Sequence, residues 1–84
     1  MGYKVFLEEK AAKQIARLDS TTRSRILNAL EELERGFSAR LDIRKLKGMR
    51  NHYRIRVGVY RILFALQSSN ALVYDVAHRQ NVYE

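Results

Sequence analysis

The stretch His52-Tyr-Arg-Ile-Arg-Val-Gly-Val-Tyr-Arg-Ile-Leu-Phe-Ala-Leu66 decides how this chain folds. From Tyr53 to Val57 apolar and basic residues alternate, the period of two that a half-buried strand requires. A second alternating run begins at Tyr60, and only Gly58 and Val59 stand between the two. A two-residue connection led by glycine predicts a type II′ turn, because glycine takes the positive φ of its first position without steric cost. That loop length fixes the register: Val57 opposite Tyr60, Arg56 opposite Arg61, Ile55 opposite Ile62 and Tyr53 opposite Phe64. One face then carries Tyr53, Ile55, Val57, Tyr60, Ile62 and Phe64 and is the expected core. The other face gathers Arg54, Arg56 and Arg61. Like charges directly opposite on a sheet destabilise it by up to roughly 1 kcal/mol. Such a patch points to a polyanionic ligand.

The 84 residues are expected to form a single domain over 1–84, near the lower limit for an unaided core. With 46% apolar and 30% charged residues, the composition is that of a globular chain and excludes a disordered one. The absence of cysteine excludes a disulfide framework and thiolate metal sites. The chain opens on Tyr3-Lys-Val-Phe-Leu7 without a basic region and apolar run, so no signal peptide is expected and the cytoplasm is the expected location. No stretch approaches the roughly 18 apolar residues of a membrane span, and no membrane role is expected. The net charge of +7 favours an anionic partner. Its distribution is uneven: Arg40, Arg44, Lys45, Lys47, Arg50, Arg54, Arg56 and Arg61 fall in one window opposed only by Asp42. Concentrated charge of this kind reads as a binding surface rather than a merely solvated face.

Outward from the hairpin, Tyr3–Leu7 reads as a short first strand. From about Glu9 to Leu18 the spacing of Ala11, Ala12, Ile15, Ala16 and Leu18 becomes helical. Asp19-Ser-Thr-Thr22 breaks that helix and offers a cap for a second one, in which Ile26, Leu27, Leu30 and Leu33 form the stripe and after which Gly36 stops the chain. A strand fragment is expected around Ile43 to Leu46. Beyond the hairpin, Ser68-Ser-Asn70 predicts a three-residue turn, with Asn70 tolerating the left-handed conformation. This pairs Leu66 with Leu72, Phe64 with Tyr74 and Ile62 with Val76, and brings Asp75 diagonally near Arg61. The expected fold is α+β, β-α-α-β-β-β, with a helical hairpin on one face of a small, mainly antiparallel twisted sheet and the other face open.

Glycine-rich phosphate loops, paired histidine ligands and Ser/His/Asp sets are absent from the sequence, and neither a metal nor a cofactor is expected. What remains is the arginine face, joined by Arg79 if the last strand continues past Ala77, with His78 and Tyr83 nearby. Arginines bind phosphates and aromatic rings stack on unpaired bases, which describes an RNA surface. RNA cleavage by its own 2′-hydroxyl needs a proton acceptor, cations for the phosphorane and an acid for the leaving 5′-oxygen. Guanidinium forks meet the second need well and the first poorly, because they stay protonated.

Lys45-Leu-Lys-Gly48, Tyr53-Arg-Ile-Arg-Val-Gly-Val-Tyr-Arg-Ile62 and Val76-Ala-His-Arg-Gln-Asn-Val-Tyr83, in this order, resemble the RelE toxins of the RelE/ParE superfamily. The resemblance covers essentially the whole chain. It implies a toxin of a type II toxin–antitoxin pair, an endoribonuclease that enters the ribosomal A site, cleaves messenger RNA there and is wrapped by a RelB-like antitoxin. Its contacts would be ribosomal RNA and messenger RNA, with DNA met only indirectly through the antitoxin complex. By position, Lys47, Arg54, Arg56, Arg61, Arg79 and Tyr83 match the family's functional positions. Arg61 and Arg79 would hold the scissile phosphate, while Tyr83 would stack on a base or act as the acid. Arg54 and Arg56 stand where the best-studied member has lysines, which leaves the proton acceptor open among His78, Tyr83 and catalysis by charge and geometry. Lys45, Lys47 and Arg50 complete the expected RNA-binding set. Two other functions fit the same resemblance: a ParE-like poison of DNA gyrase without nuclease chemistry, and a member that binds RNA or antitoxin without cutting.

Overall fold

The apolar stripes and the caps of the first half of the chain place two helices between one edge strand and the rest of the sheet. A computed structural model describes residues 2–78. β1 (Lys4–Leu7) leads into α1 (Glu9–Ala16) and α2 (Ser20–Leu33). Four strands follow: β2 (Asp42–Lys45), β3 (His52–Val57), β4 (Tyr60–Gln67) and β5 (Asn70–His78). The α+β architecture is as expected, with the fragment before the hairpin forming a full member of the sheet. The order across the sheet is β1-β5-β4-β3-β2, with β1 parallel to β5 and every other pair antiparallel.

This order explains the helices. The chain leaves the sheet at one edge, β1, and re-enters at the opposite edge, β2. Five strands about 4.8 Å apart span roughly 19 Å, and the 14 residues of α2 cover about 21 Å at 1.5 Å each. The antiparallel meander then walks back until β5 pairs with β1.

Ala11 and Ile15 of α1 and Ile26, Ala29, Leu30 and Leu33 of α2 bury against Ile55, Ile62, Phe64, Ala71, Val73 and Val76 of the sheet. Asp19 begins α2, its carboxylate accepting from the Thr22 amide at 3.0 Å. From the next turn, Arg23 donates to the Leu18 carbonyl at 2.9 Å and so satisfies an acceptor left over at the end of α1. The Thr22 hydroxyl, and then its amide, hold the Asp19 carboxyl below its ordinary pKa.

The β3–β4 register is the expected one, pair for pair. Gly58 has φ 59°, and Val59 is not among the residues with positive φ, the signature of a type II′ turn. The β4–β5 hairpin differs from expectation. Its loop holds two residues, Ser68 and Ser69, and the left-handed residue is Ser68 (φ 55°), not Asn70. Leu66 therefore pairs with Ala71 and Phe64 with Val73, while Ile62 still pairs with Val76. A β-bulge at Tyr74 reconciles the two halves by adding one residue to β5. The two-residue loop turns Leu72 and Tyr74 to the face opposite the helices, where the three-residue loop would have buried them in the core, and the bulge returns Val76 to the core side.

Replacing Gly58 by alanine puts a Cβ on a left-handed residue and is expected to destabilise the chain by about 1–2 kcal/mol. The added methyl would meet only the Arg25 side chain at ordinary contact distance, so backbone strain alone sets this cost. Urea denaturation measures it, and an unchanged midpoint would rule out the assigned turn. Because the Asp19 pKa is lowered on folding, its contribution is present above the ordinary carboxylate pKa and lost as pH falls through the folded value. Asp19→Asn is expected to flatten that acid limb in thermal melts taken between neutral pH and the acid limit.

Candidate nucleic-acid interface

Alternation along β2, β3 and β4 decides which side chains share the helix-free face. Arg54 and Arg56 of β3 point there, since Ile55 between them is fully buried under the helices. Arg56 stands opposite Arg61 of β4 and opposite Asp42 of β2; Arg54 stands opposite Leu63 and Arg44. The face therefore carries four guanidinium groups in two adjacent rows. Arg44 is the member that sequence reasoning did not place in the site, because its position depends on the β2–β3 register.

The four are not equivalent. Arg56 and Arg44 are exposed and Arg61 is half-buried. Arg54 is only 5% exposed, which corrects the expectation of a wholly open face. Its Nη1 donates to the Asp42 carbonyl at 2.9 Å and lies 3.3 Å from Asp42 Oδ1. One acidic residue at the sheet edge thus anchors the innermost cation. Leu46, buried but outside the main core cluster, closes a cleft of about 220 Å³ with Arg44, Lys45, Lys47 and Arg54. Two of the expected RNA-binding lysines join the arginines there. Arg50 is exposed in the β2–β3 connection and does not line that cleft.

His78 is not brought to this face. It pairs with Tyr60, its ring 5.5 Å from the tyrosine ring in an edge-to-face contact, and both follow the core-side alternation. Asp75 pairs with Leu63 and Arg61 with Ala77, the diagonal relation expected from the sequence. The Asp75 carboxylate accepts from Gln14 at 2.8 Å and lies 3.5 Å from Lys10, both on α1. Arg79 and Tyr83 lie outside the described residues.

In their place the face holds a pair the sequence did not disclose. His52 Nδ1 and the Tyr74 hydroxyl are 2.9 Å apart, with the rings edge to face. Burial, then the charges of Asp75 and Glu8, raises the Tyr74 pKa, so the phenol keeps its proton beside His52. The two-residue β4–β5 loop, whose register turns Tyr74 outward, makes this contact possible. Chemically, the face offers forks that stay protonated and match the geometry of phosphate oxygens, beside one imidazole two residues from Arg54.

Comparison with known proteins defines the class. Residues 5–83 match the model of the ParE toxin of the type II toxin–antitoxin system parDE. The chain is 34% identical, over 96% of both lengths, to Toxin RelE3 of Methanocaldococcus jannaschii. In the crystal structure of the RelB–RelE antitoxin–toxin complex from Methanococcus jannaschii, a chain 32% identical superposes with a TM-score of 0.80, covering 93% of this chain and 94% of that one. The isolated E. coli RelE toxin, 26% identical, superposes at 0.74 over 90% and 83%. The fold is thus that of a type II toxin. More particularly, the chain belongs to the RelE/ParE superfamily and is a RelE-type toxin.

The unequal burial of the arginines separates stability from surface charge. Arg54→Ala removes a buried stem and strands its hydrogen-bonding partner, and is expected to cost about 1–3 kcal/mol in urea denaturation. Arg56→Ala, at an exposed position, is expected to stay within about 0.5 kcal/mol. Equal midpoints for the two variants would contradict the anchoring of Arg54 by Asp42.

Proposed function

We propose that this toxin is a ribosome-dependent endoribonuclease that cuts messenger RNA in the ribosomal A site and is neutralised by a RelB-like antitoxin. The observation that carries this reading is the double row of guanidinium groups on the sheet face the helices leave uncovered. In the reaction, the 2′-hydroxyl loses its proton and its oxygen bonds to the adjacent phosphorus. The bond from phosphorus to the 5′-oxygen breaks, and the departing oxygen takes up a proton. Arg61 and Arg79 hold the scissile phosphate and neutralise charge that grows on its oxygens. Arg54 and Arg56 extend the same field; as permanent cations they act on charge and position, not as bases. Tyr83 stacks on a base or protonates the leaving group. Lys45, Lys47 and Arg50 hold RNA beyond the scissile bond. The chemistry requires no cofactor. The antitoxin assignment rests on relatives solved as RelB–RelE complexes.

The matched family model favours a second reading, because its description is that of ParE. A ParE-like chain would poison DNA gyrase and leave messages intact. Induced expression followed by mapping of transcript ends separates the two. Cuts within translated codons are expected, whereas intact messages with damaged DNA would establish the second reading. On programmed ribosomes, Arg61→Ala and Arg79→Ala are each expected to lower the cleavage rate by about 10²-fold or more, and full activity in both would show that the scissile phosphate lies elsewhere. Tyr83→Phe is expected to reduce cleavage more than ribosome binding; equal losses would exclude a chemical role for the hydroxyl.

A further inference from the structure

Where β3 turns into β4, a cavity of about 380 Å³ opens between α2 and the end of the sheet. Arginines from three separate segments are among the residues that line it: Arg25 of α2, Arg40 of the α2–β2 connection and Arg56 of β3. Asn28, one turn on from Arg25, adds an amide to the lining. The Arg25 guanidinium stands over the turn itself, for a methyl added at Gly58 would lie 3.5 Å from its Nη1 and 3.6 Å from its Nη2. Arg40 is set by its loop, its amide donating to Ser38 Oγ at 3.1 Å. Glu32 supplies the carboxylate of this lining, and it is engaged by Arg35 at 3.3 Å. Among the described residues, none of the three arginines forms an ion pair.

We propose that this cavity is a second phosphodiester site, which binds the RNA backbone away from the scissile bond. Three arginines around one space concentrate positive charge, and an anion with several oxygens relieves their mutual repulsion while accepting forked hydrogen bonds. Arg56 connects the two sites. It belongs to the double row on the helix-free face and also lines this cavity, so a strand held at Arg56 and Arg61 continues over the β3–β4 turn toward Arg25 and Arg40. The Gly58 position favours such a path, since the turn presents no side chain of its own there. This inference deepens the nuclease reading, on which it rests for the identity of the anion.

Binding of a fluorescently labelled single-stranded RNA to the full chain, followed by anisotropy across a series of salt concentrations, tests it without any cleavage step. Each phosphate contact to a single strand contributes a slope of about 0.7 in log K against log salt. Arg25→Ala/Arg40→Ala is therefore expected to weaken binding and flatten the slope by about 1.4 (two contacts at about 0.7 each). Arg25→Lys/Arg40→Lys, which keeps the charge, is expected to retain most of the slope. Lys13→Ala/Arg17→Ala on α1 removes the same net charge away from the cavity and is expected to leave the slope unchanged. Identical slopes for the two double-alanine variants overturn the site while leaving the nuclease reading intact. If wild type shows no salt-dependent RNA binding, both fall together. Should Arg25→Ala/Arg40→Ala loosen the antitoxin complex but not RNA binding, the cavity holds an acidic protein segment and the RNA assignment is wrong.

Discussion

Burial on one side of β3 and β4 holds together charges that repel on the other. Ile55, Ile62 and Phe64 are fully buried under the helices, and each such side chain contributes about 1.5–3 kcal/mol. The opposed pairs Arg56–Arg61 and Arg44–Arg54 each cost up to about 1 kcal/mol. Burial wins by several-fold, so the register is secure and the cationic rows follow from it. The strands also hold the two sets in strict alternation. A slip of one residue would expose the isoleucines and drive the arginines under α2. Fold and cationic surface are therefore fixed by the same backbone pairing.

That pairing was legible in the sequence because every determinant is local: alternation, a leading glycine and a two-residue gap. The helices were legible for the same reason, through Asp19 and the spacing of Ile26, Leu30 and Leu33. The β4–β5 hairpin was not. Its turn uses a serine at positive φ, which no residue preference announces, and its bulge depends on partners far away in the chain. Gln14, sixty-two residues upstream, accepts from the Val76 amide at 2.7 Å and donates to Asp75 at 2.8 Å. The burial of Arg54 was equally hidden, since it requires Asp42 to be brought alongside by β2. For the site as a whole, the identities of the basic residues were legible. Their unequal exposure and the His52–Tyr74 contact were not.

Gln14 also explains how the sheet ends. β1 pairs with β5 only from Asn70 to Val73, and the Glu8 amide donates to the Val73 carbonyl just as α1 begins. Beyond that point no strand among the described residues lies beside the β5 edge. The Gln14 side chain, presenting one acceptor and one donor, substitutes for a short piece of strand. A free edge invites pairing with another chain; here α1 covers the start of that edge with a side-chain amide. The same contact fixes Asp75 and Val76, the two residues after Tyr74, close to the hydroxyl that reaches His52.

The arginines at 54 and 56 shift the balance between holding and reacting. A lysine can be brought to neutrality by burial and act as a base, whereas a guanidinium keeps its charge in any such setting. At position 54 the structure uses that permanence. A cation only 5% exposed demands a partner, and Asp42, on a neighbouring strand, provides one through both its carbonyl and its carboxylate. Arg54 therefore joins the edge strand to the cationic face, and its charge holds β2 in place through Asp42. An anion arriving at the face draws on a field already set by fixed groups, with little reorganisation left to make. Preorganised charge of this kind is the largest single source of stabilisation in phosphoryl and acyl transfer. It is also what this face, rich in forks and poor in bases, is built to supply.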